Sequence, residues 1–421
     1  MYKKLRLDNG LRVISHRMPD MRTASVGIWI KAGGRYESQK NKGIAHVCEH
    51  LLFKGSKKYS CRKIKESIEG VGGSLNGFTS EEFTCYLAKI PGRYLGLALD
   101  VLSDMVLNPL FVPEEIEKEK TVILEEIKMY KDRPQSYVHD LLDGLLWPDQ
   151  PLGEPIIGSA ESVGAVHKQD LNDFKNNFYA PANIVVSVAG LLDHQALAHR
   201  VSRIFSAQKE RGSVGFTPAR EMQEEPQLKI LHKNTEQTHL ALGFHALKRD
   251  HPLKHALAML HIILGANMSS RLFDELREKR GLAYEIGTQI RRFQDTGSFV
   301  VHAGIDNRKV CESIRLILAA LKKISHSLVT PDEFRRAKDF YLGQLTMTLE
   351  DTLDYMLWIG ETTIALDKAY LPAQVIKEVK EVTREDIRKV ARDIFREERI
   401  NLSLIGPVKG SRTEIDKELR L

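Results

Sequence analysis

The chain repeats itself at long range, and this repeat limits its fold more than any other feature. Val112-Pro113-Glu114-Glu115-Ile116 is echoed by Thr330-Pro331-Asp332-Glu333-Phe334, with proline at the first helical position of each. The offset is 331 − 113 = 218 residues. Other stretches keep the same plan. Ala24 to Ile30 is answered by Thr238 to Phe244, Asn183 to Gly190 by Asn401 to Gly406, and Asp170 to Phe174 by Glu385 to Val390. A period this long marks a duplicated domain rather than a solenoid unit. The expected division is an N-terminal domain over 1–208, a polar, Gly/Pro-punctuated linker over 209–226 and a C-terminal copy over 227–421. Each half mixes period-2 strands with period-3.6 helices, and many strands look hairpin-connected. The expected class is therefore α+β: two homologous α/β-sandwich domains, each a mostly antiparallel sheet with helices packed on one face.

The first copy carries a cluster the second lacks. His46-Val47-Cys48-Glu49-His50 sits in an apolar segment that reads as helix. Positions i, i+3 and i+4 share a helix face, so His46 and His50 can bind one ion from adjacent turns with Glu49 beside them. The order H-x-x-E-H is the inverse of the commoner H-E-x-x-H zinc motif. Catalytic zinc takes three protein ligands and keeps one position for water. The helix after Pro113 offers the third. Ile116, Glu119, Ile123, Glu126, Ile127 and Tyr130 fall along one face, which sets two carboxylates in an apolar stripe. An ionised carboxylate there is costly unless it is paired or binds a cation. Glu126 is the expected third ligand, and Glu119 the acid that orients a ligating histidine. Cys48 points off the shared face and reads as a small buried hydrophobe. The repeat supplies a control: Glu126 aligns with Gln344 and Glu119 with Ala337, while Leu260 to Gly265 holds one His and no Glu. Residues needed only for folding would recur in both copies.

Composition narrows the partners. The 62 bases exceed the 56 acids by six and are scattered, which gives no nucleic-acid footprint. The four cysteines form no CxxC pair, which points to a reducing compartment. The first ten residues alternate like a strand and turn at Asn9-Gly10, unlike a signal peptide. With no run of eighteen apolar residues, no membrane span is expected, and the location expected is cytoplasmic.

These residues resemble the insulinase-like (pitrilysin-type, inverzincin) metallopeptidases, in particular the short two-domain branch that includes the β subunit of mitochondrial processing peptidase. Gly43 to Gly55 is similar to that family's metal helix, and Glu119 and Glu126, seven apart, to its acidic pair. Gly72 to Ser80 is similar to the strand on which relatives lay their substrate, which assigns Leu75, Asn76 and Gly77 to substrate binding by strand addition. The family usually has Ala where this chain has Gly77. Leu276 to Tyr284 resembles its Arg-and-Tyr element, which carries a substrate-carbonyl role onto Arg277 and Tyr284. The resemblance implies one zinc ion per chain, peptide substrates and a homodimer enclosing a chamber. The expected function is a zinc-dependent endopeptidase that cleaves peptides or unfolded segments through metal-activated water, with Glu49 as general base. Its rivals are a non-catalytic scaffold subunit and one subunit of a heterodimeric processing peptidase.

Overall fold

Two sheets form where the sequence places its β-branched runs. The computed structural model describes residues 2–208, 212, 215–408 and 412–421, so residues 209–211, 213 and 214 of the expected linker lie outside the described residues. The first sheet contains β1 (Tyr2–Arg6), β2 (Arg12–Arg17), β3 (Thr23–Ile30), β4 (Ser74–Thr79), β5 (Thr84–Pro91) and β6 (Ile184–Gly190). The second contains β7 (Gln227–His232), β8 (Gln237–His245), β9 (Ala283–Arg292), β10 (Gly297–Asp306) and β11 (Asn401–Gly406). Their orders are β1-β2-β6-β3-β5-β4 and β7-β11-β8-β10-β9. Each has a single parallel pairing, β2 with β6 and β7 with β11. Without β1 the two orders are the same, so the repeat read from sequence extends to topology and to a mostly antiparallel α+β fold. Among the described residues no helix is long and apolar enough to cross a membrane.

The layers go one further than expected. One face of the first sheet, through Val26, Ile28, Tyr86, Ala88, Val186 and Val188, packs on residues of the helices Ile44–Leu52 and Leu95–Leu107. The opposite face is covered as well. Trp29, Cys85, Leu87, Val185 and Ala189 pack against Tyr355, Met356 and Ile359 of the helix Thr352–Leu366, which the sequence places in the second copy. The exchange is mutual. Val138, Leu142 and Leu146 of the helix Pro134–Leu146 pack on Ala241, Val300 and Ile405 of the second sheet. The compact units are accordingly discontinuous: Met1–Ile127 with Pro155–Thr217 and Thr346–Tyr370, and Lys128–Glu154 with Pro218–Leu345 and Leu371–Leu421. They depart from the contiguous halves expected at 1–208 and 227–421. The reason lies in strands such as β6, buried along its whole length. A sheet apolar on both faces must be covered on both.

The guest helix of the first unit is fitted closely. A Cβ at Gly360 would lie 2.2 Å from Trp29 Nε1, and one at Gly27 would lie 2.6 Å from Met356 Sδ. Trp29 Nε1–H donates to Ser187 Oγ at 2.8 Å, so the buried indole leaves no polar atom unsatisfied. At the helix N-terminus, Asp351 accepts from Leu353 N at 2.7 Å and from Lys89 Nζ at 2.6 Å. At its C-terminus, Asp367 adopts the left-handed region (φ 54°), and Lys4 Nζ donates to its carbonyl at 2.6 Å.

Candidate metal centre

The helix Ile44–Leu52 starts at Gly43, whose φ of 85° suits glycine. A Cβ there would also lie 2.8 Å from the Ile157 carbonyl oxygen. Its free N–H groups are met by Glu37, which accepts from Gly43 N at 2.9 Å and Ala45 N at 2.8 Å. Burial pushes the Glu37 carboxyl up to about 7 against the pull of these donors. On the buried side, Cys48 Sγ donates to Tyr179 Oη at 3.6 Å, and burial raises its thiol to about 12. It stays a protonated core residue, as its position on the helix suggests.

The other side gathers the chemistry. One donor atom from each of His46, His50 and Glu126 lies within 4.8 Å of the others, the one such group among the described residues. Donors about 2.1 Å from a tetrahedral ion sit about 3.4 Å apart, so side-chain shifts of up to about 1.4 Å close the set. Two imidazoles and a carboxylate are the donor chemistry of a zinc site with a vacant position. The residues present fit the ion. His50 Nε2 lies 3.8 Å from Glu126 Oε2, while His50 Nδ1 lies 3.1 Å from Glu119 Oε2. Burial, then the charge of His50, lowers His46 to about 4, which keeps its imidazole neutral and able to ligate. Glu49 is buried, and burial raises its carboxyl above the ordinary range. Thr79 Oγ1 donates to Glu49 Oε2 at 2.8 Å.

The expected substrate strand is β4, at the sheet edge and, among the described residues, paired only with β5. On this strand the Gly77 N–H donates to Asn76 Oδ1 at 2.8 Å, a side-chain contact that an added strand would replace. Leu75 and Gly77 are half-buried and Asn76 is exposed. A Cβ at Gly77 would lie 3.2 Å from Glu49 Oε1, so this edge runs beside the free oxygen of Glu49. In the second unit, Arg277 lies over the Phe273 and Tyr284 rings, and Tyr284 is 73% exposed. Both line an open cavity of about 690 Å³ with Gln237, Asn307 and Arg308. Two parts of the sequence reading change. Tyr130, expected on the apolar face of the carboxylate helix, is exposed, while Lys120 is buried there. Thr79, Lys54 and Glu37 escaped it altogether. Only Lys54 had a local signal, being four residues beyond His50.

Comparison with known proteins follows the same lines. Residues 12–160 match the model for insulinase (peptidase family M16), and residues 165–341 match the one described as the peptidase M16 inactive domain. A Bacillus subtilis protein named as an uncharacterized zinc protease, YmxG, is 35% identical over 97% of this chain and 98% of its own length. A Streptomyces coelicolor protein with the same designation is 35% identical over 97% of this chain and 90% of its own. A protease structure from Helicobacter pylori superposes with a TM-score of 0.90 at 22% identity, covering 97% of this chain and 99% of that one. A Pseudomonas fluorescens structure described as a peptidase M16 inactive domain gives a TM-score of 0.90 at 18% identity, covering 98% of this chain and 99% of that one. At these identities the two structures speak for the fold.

Proposed function

The chain belongs to the insulinase family, peptidase family M16, and from that premise we propose that it is a zinc-dependent endopeptidase acting on peptides or unfolded segments. One observation carries the reading: His46, His50 and Glu126 converge from two helices while Glu49, on the turn between the histidines, stays out of the donor set. A zinc ion held there would supply Lewis acidity toward a substrate carbonyl and toward water.

The chain's own residues do the rest. Thr79 occupies Glu49 Oε2 and leaves Oε1 to take a proton from water and return it to the departing amine. Burial raises the proton affinity of Glu49, which suits a group that must both accept and donate. The outer edge of β4 would hold an extended peptide by backbone hydrogen bonds and so bring its carbonyl alongside Glu49. An added strand must reach the edge extended and free of its own sheet along most of its length, which favours flexible substrates. Arg277 and Tyr284 are assigned to a substrate carbonyl oxygen, as a guanidinium and a phenol suited to developing negative charge. The assembly is proposed as a homodimer, which size-exclusion mass would check.

The test is cleavage of an unstructured peptide library by wild type and Glu49→Gln, with zinc content measured for both. Glu49→Gln is expected to keep its zinc and lose turnover by about 10²–10⁴-fold. Equal turnover would remove Glu49 from the mechanism, and a wild type without zinc would favour a scaffold.

A further inference from the structure

We infer that Lys54 is a positioning residue for His50, acting through Glu119 to set which imidazole nitrogen faces the metal. The inference rests on the zinc-peptidase reading above. Lys54 follows the last turn of the metal helix, and its backbone N–H donates to the Leu51 carbonyl at 3.0 Å, which fixes the root of the side chain. Its Nζ lies 2.5 Å from Glu119 Oε1. The other oxygen of the same carboxylate lies 3.1 Å from His50 Nδ1. Glu119 thus joins an ammonium to an imidazole, one oxygen to each.

Three features make this join matter. First, the Glu119 side chain is 5% exposed and sits between Ile116 and Ile123 on its helix. A carboxylate charge buried this far costs several kcal/mol unless it is paired. Lys54 is 27% exposed, so its own charge stays partly hydrated while it neutralises the buried partner. Second, the ammonium occupies Oε1 and so turns Oε2 toward His50. An acceptor at Nδ1 holds the proton there, which leaves the Nε2 lone pair for the metal. Nε2 is the nitrogen 3.8 Å from Glu126 Oε2, on the side of the third ligand. Third, the two histidines are not treated alike. His46 Nδ1 is buried with no hydrogen-bond partner among the described residues, so among these only His50 of the pair is steered by a carboxylate. Lys54 also returns a positive charge to a centre that Glu119 and Glu126 would otherwise leave with two negative ones.

The experiment strips purified full-length protein of metal and titrates zinc against a chromophoric chelator. Lys54→Met is expected to weaken zinc binding about tenfold or more, the usual loss when a group supporting a ligand is removed. Lys54→Arg, which keeps the cation, is expected to stay within about threefold of wild type. Glu119→Gln alone should lose about as much as Lys54→Met, and adding Lys54→Met to it should cost nothing further, because the lysine acts through that carboxylate. Melting temperatures without metal identify any variant weakened merely by misfolding; in that case the Arg variant and the double substitution still decide. Wild-type affinity in Lys54→Met, or an equal loss in the Glu119→Gln background, would overturn the inference alone. A wild-type chain that takes up no zinc would overturn the site itself as well.

Discussion

The three candidate donors His46, His50 and Glu126, which lie close together in the fold, were picked out by local spacing. His46 and His50 are one helical turn apart, and Glu119 and Glu126 two turns, so spacing alone aligned each pair before any fold was known. Their supports were not readable in this way. Glu119 was the exception, because its spacing to Glu126 marked it; Thr79 reaches Glu49 across 30 residues, and such a distance carries no sequence pattern. Of these supports, Thr79 bears most directly on the chemistry, since its hydroxyl decides which oxygen of Glu49 remains free. Thr79→Val keeps the shape and deletes the donor. It is expected to lower kcat about tenfold, equivalent to about 1.4 kcal/mol, with zinc content unchanged. Thr79→Ser should recover most of the loss, and steady-state kinetics on a single unstructured peptide would check both. A valine variant as fast as wild type would show that Glu49 holds its orientation without help.

Helices and strands were legible as kinds, but not always as neighbours. The repeat located both copies and the alternation gave both sheets, yet Pro134–Leu146 and Thr352–Leu366 each pack on the sheet that the other copy supplies. A hint was present in β3 and β6, where apolar residues face both ways. Such strands state that a second cover exists without naming it. The closeness of that cover makes one substitution change sign with context. Gly343, in the helix Pro331–Thr348, has nothing within 4 Å of an added Cβ, so Gly343→Ala should stabilise by about 0.5–1 kcal/mol through helix propensity alone. Gly360→Ala gains the same propensity but drives a methyl into the rigid Trp29 indole. A net loss of about 1–3 kcal/mol is expected there. Urea unfolding of the two variants side by side would separate packing from propensity.

For the whole molecule, acid should be more damaging than the modest net charge suggests. Burial above all lowers His16, His139 and His261 to about 4. Between about pH 4 and 6.5 the unfolded chain binds these protons and the folded chain refuses them, so stability rises with pH across that window and is lost as pH falls. Glu37, raised to about 7, and Asp140, raised to about 6, act in the opposite sense, because the folded chain takes up their protons first. His239, His245, His255 and His302 are lowered by burial as well, and with them the histidines outweigh the two carboxyls. The urea midpoint is expected to drop from pH 7 to pH 5, with His139 and His261 contributing roughly 1 kcal/mol each. His16→Phe, which keeps a flat ring against Tyr355 (4.0 Å between centroids), should show a smaller drop than wild type. The traded helices have a further consequence, for truncation. A chain cut between the two copies leaves each sheet without one of its covers, because that cover is encoded in the other copy. The stretch 1–208 expressed alone is expected to expose the Trp29 face and bind a hydrophobic dye, where a simple tandem would release a folded half.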